Sequence, residues 1–323
     1  MQKIYLDFET YYDSKYSLTK MTTAEYVNDE RFLVWGVGVK LDDSETVWIE
    51  NSECQDFFDQ IDWSQSALVC HNTLFDAYIL TQIYNIKPKF YYDTASMSRG
   101  LFPDQSAKLK HVAERLFPND ETMRKGDELI NAKGIVDLPP DIEASIAGYC
   151  IQDVDLTYAI FQKMLTGYPQ SELELINLTT KMFVEPKLIL NKQLLTTYKE
   201  ELKINNETLI NNSGVAKDVL SSNQKFTAHL LDLNVNPPMK RSPRTGLMIP
   251  ALGKNDSGYI QMCKAYPELQ HLWAAREACK SRLEETRADR FIKSVNKNGT
   301  FSVPLRYYSA HTGRFGGAGK INL

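Results

Sequence analysis

The chain has 323 residues, 43% hydrophobic and 24% charged, a size and balance that suit two globular domains and exclude large-scale disorder. No apolar run approaches the ~18–20 residues of a membrane-spanning helix and no basic-then-apolar leader follows Met1, so the expected location is the cytoplasm. The net charge of −4 is unevenly divided: residues 1–216 hold 20 Lys and Arg against 33 Asp and Glu, and residues 217–323 hold 17 against 8. A basic segment of that size points to a polyanion such as nucleic acid.

In chain order, residues 3–8, 32–41, 46–49 and 67–71 are rich in β-branched and aromatic residues and bounded by polar or turn residues, which predicts four strands. After the fourth, Phe75, Ile79, Leu80 and Ile83 recur at helical spacing; residues 107–117 and 141–165 also predict helices. Strands followed by helices of this length imply an α/β domain with a mixed sheet. Between the last two helices lies "PNDETMRKGDELINAKGIVDLPP", a polar connection flanked by proline. Cys54, Cys70, Cys150, Cys263 and Cys279 form no CxxC pair, which argues against a disulfide framework or zinc site and for packed thiols.

From about residue 169 the strand signal fades. Amphipathic helices take over in residues 171–183, 191–212 and a single long stretch, 267–291, and "NPPMKRSPRTGLMIPALGKNDSG" reads as an exposed loop between them. The expected division is 1–168, an α/β domain; 169–303, a mainly α-helical domain; and 304–323, a short terminal segment.

Several acids occupy positions that invite a chemical reading. Asp7 and Glu9 in "DFET" are two apart on a strand and leave the same face. A cation between them explains the pair; so does an edge strand facing solvent. Asp76 stands in the first turn of a helix, where the dipole favours an acid, and Asn72 precedes it at a capping or orienting position. In "YCIQDVDLT", Tyr149 and Asp153 are four apart on one helical face and Asp155 is rotated away.

Taken together, DxE on the first strand, Asn-xx-Phe-Asp at a strand-to-helix junction and Tyr-xxx-Asp on a later helix resemble the motifs of the DEDD exonuclease superfamily, in its tyrosine-bearing branch. The version in "YCIQDVDLT" is similar to the proofreading domain of family A DNA polymerases. The resemblance covers roughly residues 1–168 and implies a ribonuclease H-like fold and 3′-5′ exonuclease activity with two divalent ions, Mg²⁺ or Mn²⁺. It implies that Asp7, Glu9 and Asp153 hold the ion that activates water, that Asp7 bridges to a second ion supported by Asp76, and that Tyr149 orients the water. Thr10, Asn72 and Phe75 are the expected contacts to the terminal nucleotide.

The basic half extends the resemblance. "NPPMKRSPRTGLMIPALGKND" and "REACKSRLEETRADRF" look like the thumb of family A polymerases, phage-type ones in particular, and Arg276, Lys280 and Arg287 fall close to one helical face suited to backbone phosphates. The final "HTGRFGGAGK" fails as a P-loop: five residues separate Gly313 from Gly319, and Lys320 is followed by Ile321. It resembles instead the Thr-Gly-Arg segment that leads into the polymerase palm, with Arg314 as the candidate for the minor groove near a primer terminus; Gly316 and Gly317 depart from the serines of many bacterial relatives.

The implied partners are a single-stranded 3′ end or primer-template DNA, and palm and fingers regions that these residues do not supply, so polymerisation by this chain is not expected. Two alternatives remain at this point: a catalytically silent DNA-binding half of a split polymerase, and a ribonuclease D-like enzyme that trims RNA 3′ ends.

Overall fold

The computed structural model describes residues 1–125, 131–319 and 321. Residues 126–130 of the polar connection, and Lys320 of the terminal segment, lie outside the described residues. The chain divides into two compact units, Met1–Leu190 with Lys293–Leu323, and Asn191–Ile292. This differs from the expected division at both ends. The helix after residue 169 belongs to the first unit, and so does the segment that closes the chain.

The first unit is built on five strands: β1 (Gln2–Thr10), β2 (Val34–Leu41), β3 (Val47–Glu50), β4 (Ser66–Cys70) and β5 (Phe90–Asp93). Their order is β3-β2-β1-β4-β5, with β1–β2 and β2–β3 antiparallel and β1–β4 and β4–β5 parallel. This is the mixed, ribonuclease H-like sheet expected. β1 lies at its centre, which rules out the edge-strand explanation of Asp7 and Glu9.

Helices cover both faces: α1 (Thr23–Asn28), α2 (Asn51–Asp59), α3 (Leu74–Gln82), α4 (Thr94–Leu101), α5 (Leu109–Leu116), α6 (Pro140–Leu165) and α7 (Gln170–Val184). The alternation of β1 sorts its side chains between two cores. Ile4, Leu6 and Phe8 enter one with Tyr78, Ile79 and Phe183; Tyr5 enters the other with Val154, Ile160 and Phe161 of α6. Asp7 and Glu9 share the face of Tyr5 and therefore point toward α6. Sequence periodicity missed β5, α1, α2 and α4, short elements in which no apolar period stands out.

In the first unit a two-residue strand β6 (Leu188–Ile189) pairs with β9 (Thr300–Phe301), and β10 (Leu305–Arg306) pairs with β11 (Gly316–Gly317). The second unit contains α8 (Lys192–Asn212), α9 (Lys217–Ser221), α10 (Asn223–Asp232), a hairpin of β7 (Met239–Arg241) and β8 (Met248–Pro250), α11 (Ser257–Ala265) and α12 (Gln270–Lys280); α13 (Leu283–Lys293) ends at its boundary. Its core gathers Leu220, Phe226, Leu230, Tyr259, Leu272 and Trp273. The expected exposed loop is a hairpin, and the expected long helix is broken at Ser281, whose backbone leaves the helical region. No helix among the described residues is long and apolar enough to cross a membrane.

Candidate active site

A cavity of about 380 Å³ opens in the first unit, with Asp7, Glu9, Tyr149 and Asp153 in its walls. β1 supplies the first pair and α6 the second. The buried stripe of α6 runs through Ile146, Cys150, Val154, Ile160 and Phe161, and Asp153 lies in it at 4% exposure, an acid where the helical period asks for an apolar residue.

The approach of α6 depends on a residue with no side chain. Gly38 of β2 pairs with Asp7, and a Cβ on Gly38 would stand 2.9 Å from Cys150 Sγ and 3.1 Å from Val154. Cys150 uses the space to donate its thiol hydrogen to the Asp7 carbonyl oxygen at 3.1 Å, joining the helix that carries Tyr149 and Asp153 to the strand that carries Asp7 and Glu9. Burial pushes the Cys150 thiol well up, so it stays protonated and donating.

Asp76 arrives by a different route. Pairing of β1 with β4 ends at Tyr5–Val69, so the Phe8 N–H beyond it lacks a strand partner; Asp76 Oδ1 accepts it at 3.0 Å. Asp76 is 2% exposed and does not line the cavity, yet its charge acts on Glu9, and that of Asp7 on it. The turn that aims α3 is fixed by Asp93 at the end of β5. Its Oδ1 accepts from the N–H groups of Asn72 at 2.8 Å and Ala95 at 3.1 Å, holding Asn72 in a left-handed conformation at φ +71°.

The electrostatics are those of an anionic site that Lys125 neutralises only in part. Burial raises the Asp7 carboxyl from 3.8 to about 6, against the pull of the Lys125 charge, and lifts Glu9 and Asp76 well above the carboxylate range, each with help from Asp7. Asp7, Glu9 and Cys150 present ligand atoms within 4.8 Å of one another. Asp153 Oδ1 is buried with no hydrogen-bond partner. Two hard carboxylates close together, with the orphaned oxygen of a third in the wall of the same cavity, fit a hard divalent cation; the buried, protonated thiol of Cys150 does not add to that donor set.

The expected nucleotide contacts are divided in character. Thr10 and Phe75 line the cavity, although the Thr10 hydroxyl already shares a 2.9 Å hydrogen bond with Tyr26. Asn72 is exposed, outside this cavity's walls, and lines a neighbouring one of about 280 Å³. Asp155 pairs with Lys40 at 3.1 Å, away from the site as its helical phase required.

Sequence reading missed Asp93, His71 and Lys125. His71 lines the cavity, but burial pushes its pKa down to about 4, so Nε2 donates to the Ala107 carbonyl at 2.9 Å and the ring is neutral. Lys125 forms an ion pair with Asp153 Oδ2 and lies 4.3 Å from the centroid of the Tyr149 ring. No local pattern announces either partner: each contact is set by the fold.

Among the basic candidates, Arg276 needs correction. It is 2% exposed; Nη1 donates to the Leu220 carbonyl, Nη2 to Asn223 Oδ1, and the guanidinium lies 4.6 Å from the centroid of the Phe226 ring. It closes the end of α9 instead of facing solvent. Lys280, Arg287 and Arg314 are exposed; Lys280 and Arg287 lie on separate helices because of the break at Ser281.

Residues 36–167 match the family model described as 3′-5′ exonuclease, a stretch that includes Asp76, Tyr149 and Asp153 and begins after Asp7 and Glu9. The polymerase domain of Pol1 from M. smegmatis, solved with DNA primer-template and dNTP, is similar over 100% of this chain at 15% identity and a TM-score of 0.60. The chain spans 52% of that polymerase domain. Brucella melitensis NrnC (14% identity, 56% of this chain and 80% of that one, TM-score 0.37) and Trypanosoma brucei RNase D in complex with RNA U12 (13%, 57% and 62%, 0.40) are more distantly similar. No curated protein sequence matches the chain. Residues 36–167 are therefore similar to the 3′-5′ exonuclease family, and the fold of the chain is shared with the polymerase domain of Pol1.

Proposed function

We propose that the chain is the proofreading portion of a family A DNA polymerase: a metal-dependent 3′-5′ exodeoxyribonuclease followed by the thumb and by residues 304–323 as the start of the palm. The observation that carries this reading is the meeting of Asp7 and Glu9 from β1 with Tyr149 and Asp153 from α6 in one cavity, with an orphaned carboxylate oxygen. Asp7, Glu9, Asp76 and Asp153 would hold two divalent ions, Mg²⁺ or Mn²⁺, which supply Lewis-acid activation of water and stabilise charge on the leaving oxygen.

The chain's own residues do the rest. Tyr149 orients the attacking water by hydrogen bonding, and with a phenol ordinarily near 10 it need not serve as the base. The ring of Phe75 offers a face on which a terminal base stacks, while Thr10 shapes the wall beside it. Lys280 and Arg287 meet backbone phosphates, and Arg314 the minor groove of a primer-template.

The test is incubation of the purified chain with 5′-labelled single-stranded DNA and RNA of one sequence, in Mg²⁺, Mn²⁺ or EDTA. Stepwise loss of DNA nucleotides in metal and none in EDTA is expected. Intact DNA in metal would favour a silent DNA-binding half, and preferential trimming of RNA a ribonuclease D-like enzyme.

A further inference from the structure

The carboxylate cavity contains a cation of its own. Lys125 sits in the connection between α5 and α6 and lines the cavity with Asp7 and Glu9; His71 being neutral, it is the one cationic wall residue among the described residues. Its ammonium is paired with Asp153 Oδ2, lies against the Tyr149 ring, and acts through its charge on both Asp7 and Glu9. It therefore engages two of the three side chains that α6 offers to the cavity, Tyr149 and Asp153, which stand four residues apart on one face; the third is Thr157.

As a purely structural ion pair this arrangement is incomplete. It satisfies one oxygen of Asp153 and leaves Oδ1 buried without a hydrogen bond, a cost that native structures seldom accept without a further ligand. A divalent ion attracts the same carboxylate with twice the charge and fills vacant coordination positions with oxygen, which an ammonium does not need. Two cations facing one carboxylate repel each other, so occupancy by one opposes occupancy by the other.

We propose that Lys125 is a resident counter-ion that competes with a divalent metal for Asp153: it holds Asp153 and Tyr149 in place in the metal-free site and releases Asp153 as the ion enters. The proposal rests on the metal-dependent reading above. Its effect is to set a threshold, so that the site loads only when the divalent concentration is high enough to displace the ammonium.

The test is Mn²⁺ binding to the full chain without nucleic acid, followed through the paramagnetic signal of free Mn²⁺, for wild type, Lys125→Met, Lys125→Arg and Asp7→Ala. Thermal denaturation in EDTA is measured beside it. Lys125→Met is expected to bind Mn²⁺ about tenfold more tightly, the factor carried by an interaction worth one pKa unit, and to melt earlier in EDTA. Lys125→Arg, which keeps the charge, is expected to return the affinity toward wild type; a role in packing alone would not follow charge in this way. Binding by wild type with equal or weaker binding by Lys125→Met overturns this proposal alone. No binding by wild type, with Asp7→Ala indistinguishable from it, overturns the metal reading and this proposal with it.

Discussion

Both compact units bury charge, with opposite outcomes. In the first, Glu9, Asp76 and Asp153 are at most 5% exposed, Glu9 meets the charges of Asp7 and Asp76, and one carboxylate oxygen of Asp153 has no hydrogen-bond partner. In the second, Arg276 is 2% exposed and its Nε also lacks a hydrogen-bond partner, but it is a single charge: a helix carbonyl and an asparagine receive its other two nitrogens and an aromatic ring lies beside it. Burial alone does not mark a functional charge. The better sign is a cluster of like charges that the protein neutralises only in part, because such a cluster is stable only when something else completes it.

The sharpest test of this contrast is removal of one member from each unit. Asp7→Ala or Asp153→Ala is expected to lower metal-dependent digestion of a single-stranded 3′ end by at least about a thousandfold, the loss of several kcal/mol of charge stabilisation, with the circular dichroism spectrum unchanged. Undiminished digestion by either variant would break the assignment. Arg276→Ala is expected to act the other way round. Losing two charge-assisted hydrogen bonds should destabilise the second unit by about 3–4 kcal/mol in chemical denaturation, while trimming of single-stranded ends stays near wild type.

A gentler probe is pH. Burial raises Asp7 above its ordinary 3.8 to about 6, so its protonated form favours folding: that contribution is fully present below about pH 4 and lost as the pH rises through about 6. In EDTA at pH 7.5, Asp7→Asn should therefore be more stable than wild type, by no more than about 3 kcal/mol, and the difference should shrink toward pH 5. Adding Mn²⁺ should reverse the order at pH 7.5, because metal ligands bind as carboxylates. The smallest effects belong to exposed cations. Lys280→Ala or Arg287→Ala should weaken DNA binding across sequences and reduce the salt slope by about one each, measured by titration at several ionic strengths.

What was legible in the sequence followed from periodicity. Two residues apart on β1 and four apart on α6 are spacings that place side chains on one face wherever the elements sit, so Asp7 with Glu9 and Tyr149 with Asp153 were readable as pairs. What faces that face is a matter of tertiary pairing. Cys150 meets Asp7 across 143 positions and Lys125 meets Asp153 across 28, and neither contact has a local signature. Arg276 shows the same limit from the other side: its helical phase was read, but the core of the second unit lay on that side. β5 escaped because four residues give too few repeats and α4 because it buries the polar Thr94, Ser96 and Ser98, and with them went Asp93, which fixes the turn into α3.

The hydrogen that stands for a side chain at Gly38 has a consequence for engineering. Helix and strand in the site are held at a separation set by that hydrogen, so one codon controls the interval between the acids of β1 and those of α6. Substituting alanine, then serine, then valine at position 38 would widen the interval in steps while every carboxylate stays in the chain, a graded ruler for how closely two sets of acids must stand to act as one.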